Sequence, residues 1–89
     1  MQLDIIVRNA SGKVIDMAGS LGLTSMAIVS LAYVEPGSEI EAVVRDAKGK
    51  HLGTFVSPHV FPTKNVSATQ FEDGGLAVTD DASNTYTRE

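Results

Sequence analysis

Residues 6 to 14 read IVRNASGKV, and residues 43 to 51 read VVRDAKGKH. Aligning residues 3–13 with 40–50 widens the echo. Val7, Arg8, Ala10, Gly12 and Lys13 recur as Val44, Arg45, Ala47, Gly49 and Lys50, while Leu3, Asp4, Ile6 and Asn9 keep their character as Ile40, Glu41, Val43 and Asp46. Each copy opens with near-alternating apolar and polar residues, the period of a half-buried strand. Leu3, Ile5 and Val7 share one face, and Asp4, Ile6 and Arg8 the other; in the second copy Ile40, Ala42 and Val44 oppose Glu41, Val43 and Arg45. Each copy then reaches a turn with the same chemistry, Asn9-Ala10-Ser11-Gly12 or Asp46-Ala47-Lys48-Gly49. Asn or Asp at the first turn position accepts bonds from nearby backbone N–H groups. Gly at the fourth takes the left-handed conformation that closes a type I turn with a bulge. Two β-hairpins meeting the same local requirement explain the echo more simply than a duplicated unit, because such a unit fits only about twice into the chain.

The remaining punctuation suggests more short strands. Residues 25–34, SMAIVSLAYV, read as a strand buried on both faces, with a short helix capped by Thr24 or Ser25 as the alternative. Glu35-Pro36-Gly37-Ser38 is a turn signal that would pair 25–34 with 39–45 as a hairpin. Residues 18–23, with two glycines, read as a flexible connection. Residues 51–57 return as a strand, and Pro58 and Pro62 interrupt regular pairing. Residues 63–71 are strand-like, residues 73–75 form a turn, and residues 76–78 a last short strand. The expected fold is all-β: a small antiparallel sandwich or open barrel of six to seven short strands built from hairpins. Residues 1–78 form the single domain, and the polar residues 79–89 a flexible C-terminal tail. Aromatic residues make up only 6% of the chain, so the core must rest on Val, Ile, Leu, Ala and Met.

Composition excludes several classes of function. A net charge of −4 disfavours direct binding to nucleic acid or acidic lipid. The absence of cysteine removes thiol chemistry and disulfides and favours a reducing compartment. No apolar run is long enough for a membrane span, and MQLDIIVRN carries charge too early for a signal peptide, so a cytoplasmic location is expected.

No cluster of residues points to catalysis or to a cofactor. His51 and His59 lack a third ligand at any metal-site spacing. Ser57 near His59 is the nearest approach to a nucleophile with its base, without a Gly-x-Ser-x-Gly elbow. Glu39 and Glu41 share the outward face of a strand, the usual pattern of a solvated surface. Asp80-Asp81 lacks the glycine and glutamate of a calcium loop. A carbohydrate platform needs aromatic rings, and of the two tyrosines Tyr33 is expected in the core and Tyr86 in the tail.

Two features point instead to a protein partner. Ile6 and Val43 occupy matching outward positions, edged by Asp4, Arg8, Glu41 and Arg45, an apolar centre with a charged rim, unless the 58–71 segment covers them. Val60 and Phe61, held between two prolines, form a stiff apolar loop that either contacts a partner or plugs the end of the fold. The expected function is therefore a non-catalytic interaction or assembly module. Its partner would be another protein or a second copy, with contacts through Ile6, Val43, Arg8, Arg45, Val60 and Phe61, no membrane and no cofactor. The alternative is an acidic inhibitor or decoy that displays Glu35, Glu39, Glu41, Glu72 and Asp73 to a basic site on an enzyme or nucleic-acid-binding protein.

Overall fold

A computed structural model describes residues 1–89. Eight strands run in chain order: β1 Gln2–Arg8, β2 Val14–Leu21, β3 Met26–Ser30, β4 Ser38–Arg45, β5 His51–Val60, β6 Asn65–Gln70, β7 Leu76–Asp80 and β8 Thr87–Arg88. They form two antiparallel sheets, β2-β1-β4-β5-β8 and β3-β6-β7. The all-β expectation holds. The strand count is eight rather than six or seven, and the sheets stay open rather than closing into a barrel. There is no helix, so the helical alternative for residues 25–34 falls; none of the chain is a helix long and apolar enough to cross a membrane.

The echoed segments are β1 and β4 with their turns, and these strands pair with each other at the middle of the larger sheet. Their alternation resolves as expected. Leu3, Ile5, Val7, Ile40, Ala42 and Val44 are buried, and the intervening residues face outward. Both turns close alike. Asn9 N–H donates to the Lys13 carbonyl at 2.8 Å and Gly12 N–H to the Asn9 carbonyl at 2.9 Å. Asp46 with Lys50 (2.9 Å) and Gly49 with Asp46 (3.0 Å) repeat the pattern. The Asn9 side chain accepts from the N–H groups of Ser11 and Lys13, and Asp46 from those of Lys48 and Lys50. Gly12 and Gly49 both sit at φ 85°. A third turn, Phe71–Gly75, closes with the same two backbone bonds and Gly74 at φ 87°. There Asp73 supplies the side-chain acceptor, to Gly75 N–H at 2.9 Å.

The expected hairpin between 25–34 and 39–45 does not form. β3 pairs with β6, and β4 lies between β1 and β5. The Pro36-Gly37 turn exists, with Ser38 N–H donating to the Glu35 carbonyl at 3.2 Å, but it carries the chain from one sheet to the other. The reason is burial. Ala27 and Val29 are buried between exposed Met26, Ile28 and Ser30, so β3 covers the inner faces of the central strands instead of extending their sheet. Residues 18–21, read as part of a flexible connection, continue β2.

Fifteen buried apolar residues from both sheets make one core. Each fully buried Leu, Ile or Val contributes about 1.5–3 kcal/mol. One polar atom in this core is unsatisfied: Ser38 Oγ is buried without a hydrogen-bond partner. Beyond β7 the polar C-terminal segment returns along β5. Tyr86 packs against the core, β8 pairs with β5, and the Arg88 guanidinium donates to the Leu52 carbonyl at 2.6 Å.

These features give two expectations for urea unfolding. At Gly49 an added Cβ meets nothing within 4 Å, so only the positive φ opposes it; Gly49→Ala should lose about 1 kcal/mol, and Gly49→Asn less, because Asn tolerates this conformation. Equal stability of all three chains would contradict the turn assignment. Ser38→Ala should leave stability unchanged or raised, since it removes an unpaired buried hydroxyl; a loss above about 1 kcal/mol would reveal a bond that Ser38 makes.

Candidate interaction surface

The outer face of the larger sheet brings the two matching positions together. Ile6 lies opposite Met17 on β2 and Glu41 on β4, and Val43 lies opposite Asp4 and Thr54. Ile6, Met17, Gly19 and Val43 line a shallow depression of about 420 Å³, with Asp4 and Arg45 at its margin. Arg45 and Asp4 pair at 2.9 Å, and Arg8 stands 3.7 Å from Glu39 and 4.0 Å from Glu41. Exposed pairs of this kind contribute only about 0–1 kcal/mol each. Their effect here is to hold the charges at the margin and leave the centre apolar. The 58–71 segment does not cover this face, because β6 belongs to the other sheet and sends Val66 and Ala68 into the core. Ile6 and Val43 are half-buried.

Sequence reasoning missed the apolar rim beside this face. Nine large apolar side chains are exposed, and six of them (Val14, Met17, Leu21, Leu23, Met26 and Ile28) lie on β2, on β3 or between the two. β2 and β3 are free edges of their respective sheets. Gly22 allows them to meet, since a Cβ there would collide with the Met26 carbonyl oxygen. Asp16 ties the two sheets together: its carboxylate accepts from the N–H groups of Ala32 at 2.9 Å and Tyr33 at 3.3 Å. The run from Val14 to Val34 contains no other charged residue. That scarcity of charge is visible in the sequence. Its position at two edges is not.

The Val60-Phe61 loop divides. Val60 is 2% exposed and belongs to the core, whereas Phe61 is 74% exposed. β5 runs through to Val60 despite Pro58, with a register shift that His59 absorbs at φ 54°. Asn84 fixes the loop, accepting from Phe61 N–H at 2.8 Å and donating to the Phe61 carbonyl at 2.9 Å. Asp80 in turn accepts from Asn84 N–H, Asn84 Nδ2 and the Tyr86 hydroxyl. Burial, then this bond to Asp80, hold the Tyr86 hydroxyl well above the ordinary tyrosine range, so it stays a donor. The tyrosines exchange their expected places. Tyr33 is exposed, with its hydroxyl on Glu35, which raises its pKa. Tyr86 packs on the core.

The remaining candidate groups are dispersed. Ser57 is buried facing the core and His59 is exposed, so they do not form a nucleophile–base pair. His51 bonds Thr54 at 2.7 Å and stands roughly 25 Å along β5 from His59, too far to share a metal ion. Asp81 accepts from the Thr63 hydroxyl, from Lys64 N–H at 3.0 Å and from Asn65 Nδ2 at 3.2 Å. The Thr63 bond first, then that of Lys64, lowers its pKa from 3.8 to about 2.

Comparison with protein-family models, curated proteins and solved structures finds no match.

The Asp81 cluster predicts a pH signature. A carboxylate with a lowered folded-state pKa stabilises the fold above its unfolded value and loses that effect as pH falls through the folded one. Asp81→Asn should therefore be less stable than the parent above pH 3.8, and the gap should close as pH falls towards about 2. Thermal melts of both chains across this range check it; a gap independent of pH would mean the Asp81 charge contributes nothing.

Proposed function

We propose that this chain is a non-catalytic protein–protein interaction or assembly module. It would act as a small accessory subunit of a larger particle, for example a phage virion, or as a homo-oligomer. The observation that carries the reading is the concentration of exposed apolar side chains on the two free edges, β2 and β3. Exposed apolar surface gathered in one place marks contact sites more often than the same residues scattered singly. Met17, one member of this rim, also lines the Ile6–Val43 depression, whose margin carries the Asp4–Arg45 pair. Free edge strands add a second attraction, since their unpaired N–H and C=O groups accept another strand. The acidic-decoy reading draws less support. Arg8 stands between Glu39 and Glu41, and Glu35 is bonded to Tyr33, so few of the carboxylates stand free for a basic partner.

Photo-crosslinking in the cell that makes the protein tests the reading. A photoreactive residue at position 23 or 28 should yield discrete protein adducts, and one at Ser11, in the exposed β1–β2 turn, should not. Absence of adducts from positions 23 and 28, or equal labelling from all three, would overturn it.

A further inference from the structure

We infer that residues 82–89 form a strap that opens as one unit while the two sheets stay folded, and that the Asp80 carboxylate is the latch that closes it. The inference does not rest on the interaction reading.

The core is complete without this segment. Its fifteen buried apolar residues all lie between Met1 and Val78. None of residues 82–89 is buried, and Tyr86 alone among them packs against the core. The hydrophobic contribution that holds the strap is therefore one half-buried ring, whereas the sheets are held by the whole core. The other contacts are polar. β8 pairs with β5 at Phe55–Arg88 and Val56–Thr87 only. The Arg88 guanidinium donates to the Leu52 carbonyl at 2.6 Å, and Glu89 N–H to the Thr54 carbonyl at 2.9 Å. A segment with few buried apolar contacts and exposed backbone bonds opens at a lower free energy than the fold as a whole. Asp81, pinned to Thr63, Lys64 and Asn65, marks the fixed root of the strap.

The bonds of the strap converge on Asp80, and both carboxylate oxygens are occupied. Oδ1 accepts from the N–H groups of Ala82 at 3.0 Å and Asn84 at 3.1 Å. Oδ2 accepts from Asn84 Nδ2 at 2.9 Å and from the Tyr86 hydroxyl at 2.6 Å. Ser83, inside this loop, sits at φ 57°, a left-handed conformation that a non-glycine residue keeps only where its surroundings impose it. Asn84 passes the constraint on, since its side chain bonds both backbone groups of Phe61. Release at Asp80 therefore frees the turn at Ser83, the Asn84 clasp on Phe61, and Tyr86 with β8 behind it. It uncovers the β5 edge from Leu52 to Val56, a row of backbone groups that the strap otherwise pairs in part.

Native-state hydrogen exchange tests the inference, read at the amides of Phe61, Asn84 and Glu89, which the strap orders, and at those of β1 and β4. The strap amides should share one protection factor, at least about tenfold below that of the β1–β4 amides. Tyr86→Phe keeps the ring and removes the bond to Asp80, so it should speed exchange at Phe61, Asn84 and Glu89 by one common factor of roughly 10 to 100. Ile5→Val thins the core on β1, three strands from β8. It should speed the β1 and β4 amides roughly two- to tenfold and leave the strap amides unchanged, because Ile5 stays buried when the strap opens. Strap amides as protected as those of β1 and β4, or sped by Ile5→Val in the same proportion, would mean that the strap leaves only when the whole chain unfolds, and would overturn the inference. A response to Tyr86→Phe at Glu89 without one at Phe61 and Asn84, or the reverse, would show separate fraying with no latch and overturn it as well.

Discussion

The register of β1 against β4 is the constraint from which the rest of this molecule follows. Leu3 faces Val44, Ile5 faces Ala42 and Val7 faces Ile40, and all six are buried. Because side chains alternate every residue, a slip by one would turn the apolar set to solvent and bring Asp4 and Arg8 inward. With about 1.5–3 kcal/mol lost per exposed Leu, Ile or Val, such a slip is prohibitive. The same alternation places Ile6 and Val43 outward, so the half-apolar outer face is a consequence of the register that builds the core. The turns at Asn9–Gly12 and Asp46–Gly49 then carry β2 and β5 to opposite flanks of this central pair.

That arrangement leaves the flanks unequal. Beyond β5 the chain supplies its own cover: β8 takes up part of the edge, Arg88 reaches the Leu52 carbonyl and lies 5.7 Å from the Phe55 ring, and Tyr86 packs on the core with its hydroxyl bonded to Asp80. Beyond β2 no strand is added, and the 32–33 segment is tied to it through the Asp16 carboxylate. The chain turns at Gly22 into the other sheet, and the apolar side chains on both sides of that turn remain exposed. A domain of this size has little core to spare, and these apolar side chains stay outside it.

How far the sequence was legible depended on whether the signal was local. Asx at the first turn position and Gly at the fourth identified both echoed hairpins, because the bonds that close them lie within five residues. Alternation identified the buried faces of β1 and β4 for the same reason. Pro36-Gly37 also announced its turn correctly. Whether the strands flanking it pair is decided elsewhere, by Val29 and Ala27 needing to cover the core and by β6 offering an edge. Tyr86, within the polar C-terminal segment, packs on the core with its hydroxyl bonded to Asp80, a contact that composition alone does not show. That Ile6 and Val43 share an outward face was readable from the echo, whereas the rim at β2 and β3 was not, since an edge is a property of strand order and strand order is non-local.

Hydrogen exchange of the individual amides tests the central claim most directly. The account predicts that the β1 and β4 amides bonded to each other at the middle of the larger sheet are the most protected, and that β2 amides not bonded to β1 exchange freely. Equal protection of the unpaired β2 amides and the β1–β4 amides would contradict it.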